Sequence, residues 1–305
     1  WKYLLHQDAY DFYMLPRYMR DVYKYRDIIK SANPKIDDFN EMVSKTAHKD
    51  IESMVLKYSA ILTAFKHKSM NNEGLRLCEV GSTIFEIIDQ MKAVNKIMSE
   101  SSEDIFKYIN NGSFFGIEIS DLMNRTAKEI HSGMNINLNT SINEFLLNKK
   151  KFDVLYAEGL SLQYALSSSS ELIELCKIPE LSIFRRIRFS TNETKLVKLG
   201  TGKYGHNISF MEFFKECELL NKKIYFLKDN TKVYPPGVQS ASHKTIDHEI
   251  LMGDFIVCSE DLQNYFIKNY ENTNKIINLA NKEKIVGWTL VGTESEFLKI
   301  ISDLK

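Results

Sequence analysis

The sequence lacks a net charge, because its 40 Lys and Arg residues balance its 40 Asp and Glu residues. A neutral chain has no overall field that would attract nucleic acid or an anionic membrane. The chain also lacks an apolar run long enough to cross a bilayer, and no basic-then-apolar signal segment opens it. We therefore expect no nucleic-acid partner, no membrane insertion and a cytoplasmic location.

Cysteine is scarce as well, and its spacing does not indicate a metal site. The four thiols are too widely separated to give the paired-ligand pattern of a zinc site, and they belong to Cys78, Cys176, Cys217 and Cys258. We predict four buried thiols in a reducing compartment, without a chemical role. Hydrophobic residues make up 44% of the 305 residues, which is enough to bury a core of the size found in enzymes.

The most informative segment is residues 75–88, which read LRLCEVGSTIFEII. A short apolar run ends at Glu79 and Gly81, and helical periodicity begins a few residues later. This pattern predicts a strand, a tight turn and the N-terminus of a helix, where backbone N–H groups lack partners. Gly81 has no Cβ and would let a ligand approach the backbone closely. The segment therefore predicts a site for a nucleotide-like ligand.

Two further junctions between a strand and a loop carry acids near the end of the strand. One strand ends near Glu118 and turns at Ser120 into a helix, while another ends before Glu158 and Ser161. In a doubly wound parallel sheet, ligands bind at the carboxyl ends of the strands. The spacing between Glu79 and Glu118 exceeds the need of one crossover helix, which predicts an extra helix near residues 105–109.

The later chain shows the alternation of strands and helices that a parallel sheet requires. Strands are predicted at residues 134–138, 152–156, 181–189 and 223–227, and helices at residues 121–131, 141–147 and 169–177. Residues 204–208 are predicted to form a loop before a helix capped by Asn207 or Ser209. A seventh, antiparallel strand is expected either around Phe255 or at residues 285–291.

The first 72 residues read as helices that are rich in aromatic side chains. Pro16 is expected to interrupt the first of them, because proline lacks the N–H that a helix interior needs. The aromatic stripe is expected to pack against the main domain. A lid over the substrate is a second role, and it is compatible with the first.

Over residues 75–226, these junctions resemble the class I S-adenosylmethionine-dependent methyltransferases. The resemblance implies an α/β fold with a doubly wound, mainly parallel, Rossmann-like sheet of seven strands over residues 73–305. Residues 1–72 would then be an N-terminal helical extension or lid. The helical extension, the degenerate first motif and the long C-terminal tail resemble bacterial putative sugar O-methyltransferases. The high Asn, Lys and Ile content also indicates a bacterial origin.

The resemblance implies S-adenosyl-L-methionine as cofactor. Glu79 and Gly81 would shape the turn under the methionine moiety, and Glu118 would accept hydrogen bonds from the ribose hydroxyls. The full set of implied cofactor-binding residues is Glu79, Gly81, Ser82, Glu118, Ile119, Ser120, Glu158 and Ser161. The alternative for Glu79 and Glu118 is that they cap helices or lie in water. Thr83 departs from the family pattern, because it stands where the second glycine is usual.

His206 is the predicted general base, since a neutral imidazole suits proton removal near neutral pH. His243 is the second candidate, in a segment that also contains Asp247 and His248. A metal site formed by these side chains is less well supported than a solvated loop, so no metal is predicted.

Four functions remain open. O-methylation of a small hydroxylated acceptor, such as a sugar or a nucleotide-linked sugar, is the first. N-methylation of a small molecule or peptide is the second, and a non-catalytic protein that binds a partner through this fold is the third. A nicotinamide-dependent oxidoreductase is disfavoured, because the glycine-rich fingerprint is incomplete. A homodimer remains open for all of them.

Overall fold

A computed structural model describes residues 2–35, 74–98, 103–166, 168–198, 204–227, 231–237, 247–259 and 288–305. The chain divides into two units, and the described residues up to Thr140 form unit 1 while those from Ser141 onward form unit 2. His243 lies outside the described residues, as do residues 36–73 and residues 260–287.

The described residues of unit 1 form three parallel strands and four helices. In chain order they are α1 (Lys2–Lys30), β1 (Arg76–Val80), α2 (Glu86–Met98), α3 (Glu103–Asn110), β2 (Ser113–Ile117), α4 (Asp121–Ile130) and β3 (Asn135–Asn139). β2 pairs with both other strands, so that Gly116 lies opposite Glu79 on one side and Leu138 on the other. The extra helix predicted before the second strand is confirmed as α3.

Pro16 lies inside α1 and does not interrupt it, so this prediction is wrong. Proline removes the hydrogen bond to the carbonyl of residue 12. Both Pro16 and Phe12 are exposed, which leaves that carbonyl within reach of water. On another face of α1, Val22 is buried in a cluster with Ile84 and Met123. Packing on the buried side therefore holds the helix together across the proline.

The aromatic stripe of α1 packs only in part. Tyr25 is fully buried and its hydroxyl accepts a hydrogen bond from Gln90 of α2 at 2.9 Å. Tyr13 and Tyr23 are exposed. Arg26 adds a polar connection, because its guanidinium bonds to both carboxylate oxygens of Asp89, at 3.1 and 3.3 Å. α1 is thus joined to α2 by buried apolar and ionic contacts.

Unit 2 contains the remaining strands and helices. In chain order they are α5 (Ile142–Leu147), β4 (Val154–Glu158), α6 (Leu160–Ala165), α7 (Ser169–Lys177), β5 (Leu181–Ser190), β6 (Lys195–Lys198), β7 (Tyr204–Ser209), α8 (Phe210–Leu219), β8 (Lys222–Leu227), β9 (Lys232–Tyr234), β10 (Ile250–Ser259), β11 (Trp288–Val291) and α9 (Glu294–Leu304). β4 and β5 are parallel. β10 lies between β5 and β8 and is antiparallel to both, so it is the predicted seventh strand. β11 pairs with the other edge of β8.

The loop predicted at residues 204–208 is instead the strand β7. β7 pairs antiparallel with β6 and parallel with β5, where Ile208 lies opposite Phe189. β6 precedes β7 by only a few residues and forms a hairpin with it. These pairings stabilise a segment in which Gly205 and Asn207 locally disfavour a strand. Of the two predicted caps, Ser209 is the residue that begins α8, because its hydroxyl accepts a hydrogen bond from the N–H of Glu212.

Strands β1 to β5 alternate with helices, and within each unit they run parallel to one another. This arrangement confirms the predicted α/β class with a doubly wound, mainly parallel, Rossmann-like sheet.

All four cysteines are buried as predicted, and burial raises the pKa of Cys176 and Cys258 to about 12. Among the helices of the described ranges, none is both long and apolar enough to span a bilayer.

Candidate functional site

The turn between β1 and α2 has an unusual backbone. Gly81, Thr83 and Phe85 have φ angles of 72°, 47° and 57°, so three alternate residues are left-handed. Glycine adopts this conformation freely, whereas a β-branched residue such as threonine is strained in it. The turn is tied to β2 by a 2.8 Å hydrogen bond from the Gly81 N–H to the Ile117 carbonyl. Thr83 therefore takes a left-handed backbone conformation that favours glycine.

Ser82 packs tightly over β2. Its side chain is fully buried, and its Oγ would lie 2.4 Å from a Cβ added at Gly116. Phe85 and Leu138 would each come within 2.8 Å of the same atom. Glycine at position 116 thus permits the turn to lie against the strand.

Glu118 follows β2 and connects two loops. One carboxylate oxygen accepts the N–H of Ser120 at 2.9 Å, and the other accepts the N–H of Thr83 at 3.2 Å. Burial raises the pKa of Glu118, while these two hydrogen bonds oppose the rise. Glu118 therefore joins the turn before α2 to the start of α4. Glu79 is also buried, whereas the side chain of Ile119 is 54% exposed.

Ser120 begins α4 and also contacts α1. Its hydroxyl accepts the N–H of Met123 at 3.1 Å and donates to the Asp11 carboxylate at 2.6 Å. Asp11 is 5% exposed, and its charge contributes to the raised pKa of Glu118. The sequence did not indicate Asp11, because a single acid in an aromatic-rich helix has no distinguishing pattern. Unit 1 thus brings together five of the predicted residues, Glu79, Gly81, Ser82, Glu118 and Ser120, and adds Asp11.

In unit 2, Glu158 ends β4 and lies opposite Arg185 of β5. Their side chains form an ion pair at 3.1 Å, and the Arg185 side chain is only 1% exposed. The hydroxyl of Tyr156 donates a hydrogen bond to the other carboxylate oxygen of Glu158. Gly159 then turns the chain with a φ of 60°, and Ser161 lies half-buried in the first turn of α6. Glu158 therefore has structural partners within its own unit.

His206 lies on β7 and is half-buried. Its Nδ1 is 3.2 Å from the carbonyl oxygen of Leu166. A carbonyl can only accept, so this hydrogen bond uses a proton on Nδ1, and in the neutral ring Nε2 is then the proton acceptor. This is the ring state that a general base requires.

A second polar group of unit 2 was not predicted. Gln163 of α6 donates a hydrogen bond to Asn207 of β7, and Asn207 lies 3.1 Å from Nε2 of His248. Nδ1 of His248 lies 2.8 Å from the Asp247 carboxylate. The sequence indicated Asp247 and His248 but not the two amides, which meet them only through long-range folding. Within the ranges that the structure describes, no group of three or more His, Cys, Asp or Glu side chains could hold a metal ion.

Replacing Thr83 by glycine is expected to stabilise unit 1. Relief of a left-handed β-branched residue is worth about 1 to 2 kcal/mol, and the greater freedom of glycine in the unfolded chain removes about half of this gain. We expect a net gain of about 0.5 to 1 kcal/mol in the free energy of unfolding, measured by urea denaturation. Thr83→Ala keeps a Cβ and should gain less. A loss of stability in Thr83→Gly would show that the turn is not strained.

No protein-family model matches this chain, and no curated protein matches it. Several solved structures match it at low identity and low TM-score. The N-terminal domain of EvdMO1 with SAH bound has 13% identity and a TM-score of 0.38, over 66% of this chain and 81% of that one. Magnesium protoporphyrin IX methyltransferase from Synechocystis PCC 6803 with bound SAM has 13% identity and a TM-score of 0.36, over 85% and 98%. An S-adenosylmethionine-dependent methyltransferase from Clostridium acetobutylicum has 12% identity and a TM-score of 0.35, over 73% and 98%.

Proposed function

We propose that this chain is an S-adenosylmethionine-dependent methyltransferase that methylates an oxygen of a small hydroxylated acceptor, such as a sugar or a nucleotide-linked sugar. The observation that carries the proposal is the Glu118 carboxylate. It is held at the end of β2 by the N–H groups of Thr83 and Ser120, beside the left-handed turn that begins at Gly81.

The residues of unit 1 fit the adenosyl and methionine parts of the cofactor. The two oxygens of a carboxylate can together accept about four hydrogen bonds, and the backbone N–H groups of Thr83, Ser120 and Ile119 bond to that of Glu118. The remaining capacity suits a ribose hydroxyl. Gly81 has no Cβ, so the backbone of the turn is open to a ligand at that point. S-Adenosylmethionine supplies a methyl group on a sulfonium, which is transferred by in-line displacement.

The chain itself would bind, orient and deprotonate. Displacement at a methyl group depends mainly on alignment of donor and acceptor, and a hydroxyl acceptor must also lose a proton. His206 is the proposed base, because its Nδ1 bonds to Leu166 and leaves Nε2 free to take the proton. A covering role for the N-terminal region, residues 1–72, belongs to the same proposal, with Asp11 as its contact to Ser120. The proposal places the activity in a bacterial cytoplasm.

The test is a methyl-transfer assay on the purified chain with D-glucose and UDP-glucose as acceptors, read out as S-adenosylhomocysteine formed. His206→Asn retains a group that can bond to Leu166 but has no basic nitrogen. We expect kcat to fall about a hundredfold in this variant, since that is a typical contribution of a general base. The KM for S-adenosylmethionine should not change.

Two outcomes would redirect the assignment. Full activity of His206→Asn would favour N-methylation, because a neutral amine acceptor needs less help from a base. Absence of turnover by the unmodified chain, together with absence of cofactor binding, would favour a non-catalytic protein with this fold.

A further inference from the structure

A hydrogen-bond network runs through unit 2 from Asp247 to Gln163. Gln163, Asn207 and His248 are 1%, 0% and 7% exposed, whereas the Asp247 side chain is 87% exposed. The network joins α6, β7 and the segment before β10. One end therefore meets solvent and the other end lies inside the unit.

The charge of Asp247 fixes which group donates and which accepts in every hydrogen bond of this network. A carboxylate only accepts, so the proton of a neutral His248 ring lies on Nδ1, and Nε2 accepts. Asn207 must then turn its NH2 group toward Nε2, which leaves its oxygen to accept from the NH2 group of Gln163. The carbonyl of Arg188, 3.4 Å from the same nitrogen of Gln163, favours the same orientation.

The last atom of the network is the side-chain oxygen of Gln163. It is buried and, among the described residues, it has no hydrogen-bond partner. A buried oxygen without a donor is costly, so its presence calls for a group that supplies an O–H or N–H. Gln163 lies on α6, the helix that directly follows β4, and ligands of α/β sheets bind beyond the carboxyl ends of such strands.

We propose that Gln163 is a specificity-determining residue whose side-chain oxygen accepts a hydrogen bond from a hydroxyl or N–H group of the methyl acceptor, and that Asp247 and His248 are positioning residues that set this polarity. The proposal rests on the proposed function, because it names the ligand as the methyl acceptor. A site of this kind rejects a ligand that offers only an acceptor, since two oxygens would then face each other without a proton.

Protonation of His248 would exchange donor and acceptor in the hydrogen bonds that join His248, Asn207 and Gln163. With protons on both ring nitrogens, Asn207 must present its oxygen to Nε2, and Gln163 must then turn its oxygen toward Asn207 and its NH2 group toward the ligand. Among the described residues, Asp247 contacts His248, and the charge of Lys195 of β6 acts on Asp247, whereas Asn207 and Gln163 are neutral. The next residue, Glu249, pairs with Lys305 at 2.9 Å.

The first test does not require catalysis. Nitrogen-15 spectra of the labelled full chain, recorded at a pH where the His248 ring is neutral, should show a proton on Nδ1 and none on Nε2, with a single set of side-chain amide signals for Gln163 and Asn207. Asp247→Asn should shift the His248 ring signals. Asp303→Asn, which changes an exposed acid on α9, is the matched control and should not. A neutral His248 ring protonated at Nε2 would overturn the proposal.

The second test measures specificity with D-glucose and UDP-glucose as acceptors. Gln163→Met removes the oxygen at similar volume and should raise the acceptor KM about tenfold while kcat changes little, because one hydrogen bond to the ligand is lost. Asp247→Asn should raise the same KM, and Asp303→Asn should not. An unchanged KM in Gln163→Met would overturn the proposal. If neither sugar is methylated by the unmodified protein, the proposed function loses support. The ring-nitrogen measurement still decides which groups donate and which accept in the hydrogen-bond network.

Discussion

Gly116→Ala is expected to lower the free energy of unfolding by about 3 kcal/mol, the upper part of the range for overpacking a tight interior. The added Cβ would lie 2.4 Å from Ser82 Oγ and 2.8 Å from atoms of Phe85 and Leu138. All three side chains would have to shift, and two of them belong to the turn after β1. The variant should therefore lose cofactor affinity as well as stability, measured by urea denaturation and by calorimetric titration.

A double-mutant cycle with Ser82→Ala tests this cause. Ser82→Ala alone should be close to neutral, because Ser82 Oγ has no hydrogen-bond partner among the described residues. Combined with Gly116→Ala it removes the nearest colliding atom, so the double variant should recover part of the lost stability. Strictly additive losses of stability would show that Ser82 does not collide with the added Cβ.

Glu158→Ala is expected to destabilise unit 2 by about 3 to 5 kcal/mol, the cost of leaving one partner of a buried ion pair without the other. The guanidinium of Arg185 would remain almost fully buried, and the hydroxyl of Tyr156 would lose its acceptor. We expect a large decrease in the urea midpoint without a change in the slope of the unfolding transition.

Tyr156→Phe is the matched control, because it removes one hydrogen bond to Glu158 and leaves the ion pair. It should cost about 1 kcal/mol. The comparison also distinguishes the two roles of Glu158. If Glu158→Ala unfolds at the same urea concentration as the unmodified chain but no longer transfers methyl groups, Glu158 contacts the ligand and its ion pair contributes little to stability.

Much of the fold could be predicted because its signals are local. The alternation of buried strands and amphipathic helices identified β1 to β5, and Ser120 and Ser209 marked helix starts through their capping side chains. β7 was missed because Gly205 and Asn207 locally disfavour a strand, and pairing with β5 and β6 outweighs this preference. Pro16 was misread because tertiary packing on the opposite side of α1 outweighs one missing hydrogen bond.

The position of the candidate site could be predicted where an acid or a glycine follows a buried strand. Glu118 and Gly81 could be identified because an acid and a glycine after a buried strand form a recognisable pattern. Asp11, Gln163 and Asn207 could not, because their importance comes from burial and from partners more than 40 residues away. Thr83 shows a third case, in which a residue departs from the pattern while its backbone, with a φ of 47°, keeps it.

The most direct measurement is calorimetric titration of the purified chain with S-adenosylmethionine and S-adenosylhomocysteine, repeated on Glu118→Ala. We expect saturable binding of both ligands and at least a tenfold loss of affinity in the variant, because about 1.4 kcal/mol or more is lost with a carboxylate that accepts hydrogen bonds. Equal affinity in both proteins would contradict the role of Glu118. Absence of binding to the unmodified chain would contradict the proposed cofactor and, with it, the proposed activity.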